Sequence, residues 1–486
     1  MTGAGPAPRR LVVIGVLLAA TACGGAGEPA VDGFEPEPLA WEACGESECS
    51  TLVVPMDHAA PGGPTIEVAV ARIRAVAEPR IGVLVMNPGG PGGSGIELLD
   101  WISPLLADPD LLGRFDLIGF DPRGVGASTR VSCIDDFDDE ILVLGPDIGF
   151  DQAAADAEEL VAGCLERSGR LVPYVGTNAV ARDMDLLRRA LGEEQISYLG
   201  YSYGTRLGAV YAALFDDRVR AMVLDGPVDP AEQVSRPSRI QADGFEAAWS
   251  AFAAACDAEP SCPLDDLGGS EQAFVDVVAL MVAGPVPAGD RQVTHGEFYL
   301  GVAAALYSPE TWPVLGEALS EVLVDRSANL LQLLGDSLLG RREDGSYDGS
   351  MDAMFLVDCA DDPERPPPIE VFEWSVAMAA TLDHFGPAFA GSTGCYPLRA
   401  ARDPLHVGPA ELEVPALVVF LDGDPATPPA WARALAEVLG DAVVISSDAE
   451  GHGAYVSNSW CLTDPVTAYL VDLEVPADGW SCREPW

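Results

Sequence analysis

The stretch "GYSYGT" at residues 200–205 places one serine, Ser202, between two glycines. The residues that lead into it, "ISYLGYS" (196–202), have the apolar composition of a buried strand, and "TRLGAVYAALF" (205–215) has the spacing of a helix. Ser202 is therefore predicted to lie on a strand-to-helix turn. Larger side chains two residues away on either side would collide with the strand and the helix, which explains the glycines, and the turn lifts the serine hydroxyl into a cleft.

Further strands and helices alternate on both sides of this turn. This alternation predicts an α/β fold whose mostly parallel sheet is covered by helices on both faces. Helices dominate residues 232–405, which we interpret as a large helical cap inserted into the fold. Besides 196–202, the predicted strands are 81–87, 115–121, 219–226, 414–424 and 441–453, and the predicted helices of the fold are 178–192, 205–215 and 429–440.

The predicted division of the chain follows from this pattern and from its N-terminal segment. A signal peptide (1–22) and a tether (23–40) come first. The first part of the α/β core (41–231), the helical cap (232–405) and the C-terminal part of the core (406–486) follow.

A serine hydroxyl is a weak nucleophile at neutral pH and needs a base and an orienting acid. In α/β-hydrolases these follow the serine in the order Asp or Glu, then His. His452, in "AEGHGAY" after the last of these strands, stands where the base is expected. The acid should end the preceding core strand, where "FLDGDPATP" offers Asp422 and Asp424. We favour Asp424, because the turn at Pro425 would hold it at the strand end.

The glycine-rich segment "NPGGPGGSG" (87–95) directly follows a predicted strand. Its glycines leave backbone N–H groups accessible, as an oxyanion hole requires. A phosphate-binding loop is the competing interpretation, but no G-K-[ST] sequence follows it. We assign the N–H groups of Gly90 and Tyr203 to the oxyanion hole.

The N-terminal segment is typical of an export signal. Arg9 and Arg10 precede the apolar run "LVVIGVLLAATA" (11–22), which is too short to span a bilayer comfortably. Small residues lead into Cys23, as in a bacterial lipoprotein signal, with plain cleavage and release as the alternative. We therefore expect an exported protein, either secreted or held on the outer side of the cell membrane by a lipid on Cys23.

The charge of the chain is strongly negative: 27 basic residues stand against 76 acidic ones, which gives a formal net charge of −49 at pH 7. Such a charge argues against binding to nucleic acid or to anionic membrane surfaces. We expect a membrane contact only through the N-terminal lipid, and a monomer. The sequence has no C-x-x-C pair and no H-E-x-x-H motif, so we predict no metal site and no cofactor.

The cysteine count supports export. There are 11 cysteines, and setting aside Cys23 as the lipid site leaves an even number, which favours disulfides in an exported chain. Several connectivities are open. Pairing of nearest neighbours gives Cys44–Cys49, Cys133–Cys164, Cys256–Cys262, Cys359–Cys395 and Cys461–Cys482.

Together these motifs resemble one family. "NPGGPGGSG", "GFDPRGVGAS", "GYSYGT", "DPATP" and "GHG" occur in the order and spacing of the secreted tripeptidyl aminopeptidase and prolyl aminopeptidase family of α/β-hydrolases, and "CSTLVVPMDHAAPGGPTIEVAVARIRA" and "DCADDPERP" are also similar to it. The resemblance covers roughly residues 40–486. It implies the α/β-hydrolase fold, Ser202 as nucleophile, Asp424 as orienting acid and His452 as base. Pro88 stands where single-domain prolyl aminopeptidases have a histidine, so the resemblance does not imply that the enzyme prefers substrates with an N-terminal proline.

Two residues of "GFDPRGVGAS", Asp121 and Arg123, are interpreted as structural. We expect them to hold a turn beside the site.

The resemblance implies a serine aminopeptidase that releases tripeptides or single residues from free peptide N-termini. A carboxylesterase or lipase on the same residues is the alternative, and a non-catalytic lipoprotein that binds peptides is a more remote one. An aminopeptidase needs an anionic pocket for the substrate ammonium group. "CADDP" (359–363) offers Asp361 and Asp362, in a segment that a Cys359–Cys395 bridge would fix, although these acids could instead only cap the turn before Pro363.

Overall fold

The computed structural model describes residues 33–106, 112–134, 148–233, 235–236 and 238–484. The predicted signal peptide, Cys23 and most of the tether lie outside the described residues. Within the described ranges, no helix combines the length and the apolar character that crossing a bilayer requires.

A ten-stranded sheet runs through the described residues in the order β1-β2-β3-β5-β4-β6-β7-β10-β11-β12. The pairings β1–β2, β2–β3 and β3–β5 are antiparallel, and every later pairing in this order is parallel. The strands are β1 Glu42–Cys44, β2 Ser47–Pro55, β3 Thr65–Ile73, β4 Gly82–Asn87, β5 Phe115–Phe120, β6 Ile196–Tyr201, β7 Val219–Asp225, β10 Ala416–Gly423, β11 Ala442–Glu450 and β12 Trp480–Cys482, while β8 Val286–Ala288 and β9 Arg291–Val293 pair separately.

The helices fall into two groups, those that cover the sheet and those of the insertion between β7 and β10. The first group comprises α1 Gly95–Leu106, α2 Phe150–Ser168, α3 Thr177–Leu191, α4 Tyr203–Leu214, α13 Pro429–Leu439 and α14 Thr463–Asp472. The second comprises α5 Arg239–Ala258, α6 Ser270–Ala283, α7 His295–Leu306, α8 Trp312–Asp325, α9 Asn329–Leu339, α10 Ser350–Asp361, α11 Pro368–Ala379 and α12 Gly386–Phe389.

The central strands are buried on both faces, as a parallel sheet between helices requires. In β4, Val83 and Val85 join the core on one face, with residues of α3, α4 and α13. Leu84 and Met86 join the core on the other face, with residues of α1 and α14. The continuous apolar runs that predicted these strands therefore reflect a sheet with two covered faces.

The insertion has an apolar core of its own, to which helices α5 to α9 contribute. Many of its members are aromatic, among them Phe245, Trp249, Phe252, Phe274 and Phe298. We call this insertion between β7 and β10 the cap. Because it has its own core, it can keep its shape while its other side chains face the sheet.

The predicted disulfides are confirmed. The bridges are Cys44–Cys49, Cys133–Cys164, Cys256–Cys262, Cys359–Cys395 and Cys461–Cys482.

The structural interpretation of Asp121 and Arg123 is also confirmed. The Asp121 carboxylate accepts hydrogen bonds from the Ser94 hydroxyl at 2.5 Å and from the Ala127 N–H at 2.8 Å. Arg123 is fully buried and donates to both carboxylate oxygens of Asp183 and to the backbone carbonyl of Pro55. These bonds fix the chain that follows β5.

Candidate active site

The predicted strand, turn and helix around Ser202 are confirmed: β6 ends at Tyr201 and α4 begins at Tyr203. Ser202 has φ 55° and ψ −126°, a strained conformation for a residue other than glycine. A Cβ on Gly200 would lie 2.4 Å from the carbonyl oxygen of Gly204, and one on Gly204 would lie 2.8 Å from that of Asn87. The two glycines are therefore required by contact, as the sequence analysis predicts.

Hydrogen bonds hold the turn at residues 200–205, called here the serine turn. The Ser202 N–H donates to the carbonyl oxygen of Asp225 at 2.9 Å. Its own carbonyl accepts from the Thr205 N–H at 2.9 Å and the Thr205 hydroxyl at 2.7 Å. With its backbone fixed on both sides, the Ser202 side chain lies at the wall of a cleft.

Asp424 and His452, the predicted acid and base, lie side by side. Nδ1 of His452 is 2.9 Å from Oδ2 of Asp424 and 3.0 Å from Oδ1. Asp424 follows β10 directly and is buried, and its carboxylate also accepts from the backbone N–H groups of Ala426 and Thr427 at 2.9 and 2.8 Å. Asp422, the alternative acid, is exposed. The geometry therefore fits Asp424 as the partner of the histidine.

The environment of His452 favours its charged form. Burial opposes a charge on the ring, but the charge of Asp424 and its hydrogen bond outweigh that cost, and Asp225 adds a smaller effect of the same sign. The pKa of His452 is therefore raised above its ordinary value of 6.5. An imidazole that accepts a proton readily is what a general base next to a serine needs.

The loop that carries His452 (residues 451–459, the histidine loop) is bonded to the cap. The His452 N–H donates to the carbonyl oxygen of Tyr307 at 2.8 Å, and the Tyr307 ring packs edge-on against the imidazole at 5.1 Å. The side-chain amide of Asn458 donates to the His452 carbonyl at 2.9 Å. No sequence pattern indicates Tyr307, since it follows the end of α7, far from His452 along the chain.

Gly90 and Tyr203, the predicted oxyanion hole, line the same cleft as Ser202. Tyr203 is the first residue of α4, so its N–H has no acceptor within its own helix. The preceding Gly89 has φ +96°, and a Cβ there would lie 2.5 Å from the carbonyl oxygen of Tyr201 and 2.8 Å from Cβ of Ser202. The glycine-rich loop is thus packed directly against the serine turn.

The cleft lies between the core and the cap and has a volume of about 640 Å³. Apolar side chains of the cap form part of its wall, among them Phe245, Tyr307, Met354, Phe355 and Phe389. Charged side chains also line it: Asp156, Arg206, Glu232, Arg236 and Asp358. It can therefore receive a chain with both apolar and charged groups.

The structure contradicts the expectation that Asp361 and Asp362 face the substrate. Both are buried, and neither is among the residues that line the cleft. Asp361 accepts from the N–H and the hydroxyl of Thr177 at 2.7 and 2.5 Å, at the N-terminus of α3 where a carboxylate is favoured. Asp362 accepts from the N–H of Ser235 at 2.8 Å and from that of Glu364 at 2.7 Å. Asp362 therefore caps the turn around Pro363, as in the alternative interpretation, whereas Asp361 caps the N-terminus of α3 instead.

Two other acids, Asp358 and Glu232, line the cleft in place of Asp361 and Asp362. Asp358, one turn earlier on α10, lies 4.0 Å from Arg206, and burial raises its pKa to about 7 although Arg206 lowers it. Burial also raises the pKa of Glu232, although the carboxylate accepts from the indole N–H of Trp431 at 3.1 Å. Asp358 is the first residue of the family segment "DCADDPERP", but that segment does not show which of its acids line the cleft, and no motif marks Glu232.

Two family models match the chain. The model of the alpha/beta hydrolase fold matches residues 82–267, and a model described as TAP-like protein matches residues 383–482. The first match contains the serine turn, and the second contains Asp424 and His452.

Three curated relatives cover nearly all of the chain. Serine protease Hip1 of Mycobacterium tuberculosis is 34% identical over an alignment 478 positions long, which covers 92% of this chain and 91% of the relative. Carboxylesterase B of the same organism is 35% identical over an alignment 507 positions long, gaps included, which covers 97% of this chain and 96% of the relative. The tripeptidyl aminopeptidase of Streptomyces lividans is 30% identical over an alignment 471 positions long, which covers 91% of this chain and 86% of the relative. The chain belongs to the α/β-hydrolase family, in its TAP-like group, and is a serine hydrolase.

Proposed function

We propose that this serine hydrolase is an exported aminopeptidase that removes tripeptides or single residues from the free N-terminus of peptides. The observation that carries the proposal is the cleft beside Ser202, whose wall includes the carboxylates of Glu232 and Asp358. A carboxylate in such a partly desolvated place forms a strong, charge-assisted hydrogen bond with an ammonium group. The relative named tripeptidyl aminopeptidase supports the same activity.

In the proposed mechanism, the Ser202 oxygen attacks the scissile carbonyl while His452 accepts its proton. Asp424, bonded to Nδ1, holds the ring so that Nε2 is the proton acceptor, and it stabilises the imidazolium that forms. The N–H groups of Gly90 and Tyr203 bind the oxygen that becomes negative. His452 then gives the proton to the leaving amine, and an acyl-enzyme remains on Ser202.

Water completes the cycle. His452 removes a proton from the water, the resulting hydroxide attacks the ester carbonyl, and Ser202 leaves with the proton that the imidazolium returns. The released acid is the N-terminal fragment. The proposed ammonium site limits how many residues fit between the substrate N-terminus and the bond that is cut.

Carboxylester hydrolysis is the second candidate. It is favoured by the relative named carboxylesterase B and by the apolar side chains in the cleft wall, such as Phe245 and Phe389. The two activities differ in what the substrate must carry: an ester needs only an apolar acyl chain, whereas an aminopeptidase substrate needs its α-ammonium group.

The test compares a tripeptide nitroanilide with a free N-terminus, the same compound acetylated, and a short-chain nitrophenyl ester. We expect the free peptide to have the highest kcat/KM. Acetylation should lower kcat/KM at least about 10-fold, because it removes one hydrogen bond between charged groups. Equal cleavage of the free and acetylated peptides would refute the aminopeptidase. Fast hydrolysis of the ester with no cleavage of either peptide would establish the second candidate.

We further propose that the chain is exported as a monomer and attached to the membrane only by a lipid on Cys23. The five disulfides support export, since such bridges persist in oxidising compartments. Intact-mass analysis tests this: we expect a mature chain that begins at a diacylglyceryl-modified Cys23 and has no alkylatable thiol. A different first residue would refute the anchor, and reactive thiols would refute the export of a fully bridged chain.

A further inference from the structure

Asp225 is a buried carboxylate that the proposed mechanism does not use. It is the last residue of β7 and is 0% exposed. Its two oxygens accept from the Ala454 N–H at 2.9 and 3.0 Å, and Oδ2 also accepts from the Tyr455 N–H at 2.7 Å. These N–H groups belong to the histidine loop, two and three residues after His452. The carboxylate thus holds the loop by its backbone.

The same residue also holds the serine turn. Its backbone carbonyl accepts from the Ser202 N–H at 2.9 Å. The neighbouring Gly226 leaves no free space: a Cβ there would lie 3.0 Å from the Thr427 hydroxyl oxygen and 3.2 Å from Cε1 of His452. Residues 225–226 are therefore the point where the segments that carry serine, acid and base are in contact.

The charge of Asp225 acts on His452 as well. The ionisable groups around Asp225 are His452 and Tyr455 of the histidine loop, Asp424 after β10 and Tyr201 of β6. The Tyr201 hydroxyl donates to the Tyr455 carbonyl at 3.1 Å. Burial raises the pKa of Asp225 to about 7, and the N–H groups of the loop and the charge of His452 oppose that rise. In return, ionised Asp225 stabilises the imidazolium.

We infer that Asp225 is a positioning residue, which fixes the histidine loop against the serine turn and supports the positive charge that His452 acquires during the reaction. This inference rests on the proposed triad. Asparagine cannot replace the carboxylate fully, because one accepting oxygen would become an NH₂ group that faces the N–H of Ala454. Two donors would then point at each other, and the loop would lose its alignment and a nearby negative charge.

The test compares Asp225→Asn with Asp116→Asn. Asp116 is the control, because it is also buried and also accepts from a backbone N–H, that of Ala75 at 2.8 Å, but lies at the start of β5, away from the site, where it pairs with Arg80 at 3.0 Å. Rates are expressed per active site, titrated with a fluorophosphonate. We expect Asp225→Asn to lower kcat by about 10- to 100-fold with KM nearly unchanged, the effect of a misplaced catalytic group, and Asp116→Asn to retain the wild-type kcat.

The pH profile separates positioning from a merely structural role. His452 must be neutral to act, and loss of the Asp225 charge lowers its pKa, so the acid limb of kcat/KM should move to lower pH in Asp225→Asn. Asp225→Ser, a smaller uncharged variant, should move the limb in the same direction. An unmoved limb, or failure of both variants to fold, would overturn the inference and leave Asp225 a structural residue. Activity in Ser202→Ala would instead refute the proposed triad itself.

Discussion

The core and the cap hold their functional side chains in different ways. In the core, Ser202, Asp424 and His452 each follow a parallel strand directly or within two residues, and each is fixed by short bonds to its neighbours. In the cap, Asp358 is set by a helix and has one distant cation, Arg206, at 4.0 Å.

This difference indicates a division of labour. The carboxyl ends of adjacent parallel strands meet at one edge of the sheet, so the core holds the reacting groups in one arrangement whatever the substrate. The cap supplies charge and shape instead. Changes in the core should therefore affect every substrate equally, and changes in the cap should affect only substrates that carry an ammonium group.

The largest expected effect is that of Ser202→Ala. The hydroxyl supplies covalent chemistry and little packing, so turnover of peptides and esters should fall together by about 10⁶-fold. His452→Ala should be nearly as severe, and the double variant should lose no more than either one, because the two residues act as a unit. Initial rates and thermal melts measure both effects. Losses that multiply in the double variant would show that the two residues act separately.

Asp424→Asn should have the next largest effect. The amide no longer holds the histidine in the required tautomer, and kcat should fall about 10⁴-fold for peptides and esters alike. Asp422→Asn is the matched control, since this exposed aspartate, two residues earlier at the end of β10, should keep wild-type rates. If Asp422→Asn were inactive and Asp424→Asn active, the assignment of the acid would be wrong.

Smaller and more selective effects are expected in the cap. Glu232→Gln and Asp358→Asn should each raise KM for free peptides by about 10- to 100-fold, the loss of one charged hydrogen bond, with ester hydrolysis unchanged. Asp361→Asn is the control: this buried acid bonds Thr177 and should cost stability while leaving KM alone. Equal losses on peptides and esters would contradict the division between core and cap.

The smallest expected effect is on how the melting temperature depends on pH. Burial raises the pKa of Asp225 and Asp358 to about 7 and that of Asp361 to about 6, so the folded chain binds more protons than the unfolded one near neutrality. These groups make their full contribution to the free energy of unfolding below their pKa in the unfolded chain, which is near 4. That contribution is lost as the pH rises through 6 to 7. Tm should thus be higher at about pH 5 than at about pH 8.

Asp358→Asn provides the control for this pH dependence. Asparagine does not titrate, so the difference in Tm between the two pH values should be smaller in the variant than in the wild type. A difference of the same size would mean that Asp358 makes no contribution to it.

The central part of the fold could be predicted because each of its strands is buried on both faces. Runs such as residues 81–87 and 219–226 have no polar side, and they match β4 and β7 to within one residue. The C-terminal β12 could not be predicted, because its three residues pair with β11 alone and are too few to show a pattern. The sequence indicates the antiparallel strands β2 and β3 only through their resemblance to a family segment, and it does not predict that they form a hairpin.

The candidate site divides in the same way. Ser202, Asp424 and His452 could be placed from the order of strands, because a strand end fixes where a side chain emerges. The cap acids could not: Asp358 and Asp361 lie on one helix, three residues apart, but only Asp358 lines the cleft. Which face of α10 meets the cleft depends on packing against distant segments such as Thr177, and a sequence pattern does not contain that information.

The most direct test of the central claim is a time course of cleavage of an unlabelled ten-residue peptide with a free N-terminus, followed by mass spectrometry. The account predicts that the products appear in order, as tripeptides or single residues lost from the N-terminus and a correspondingly shortened C-terminal remainder. The acetylated peptide should remain intact over the same time. Internal fragments from the first time point, or equal consumption of the acetylated peptide, would contradict the claim that the cleft recognises a free N-terminus.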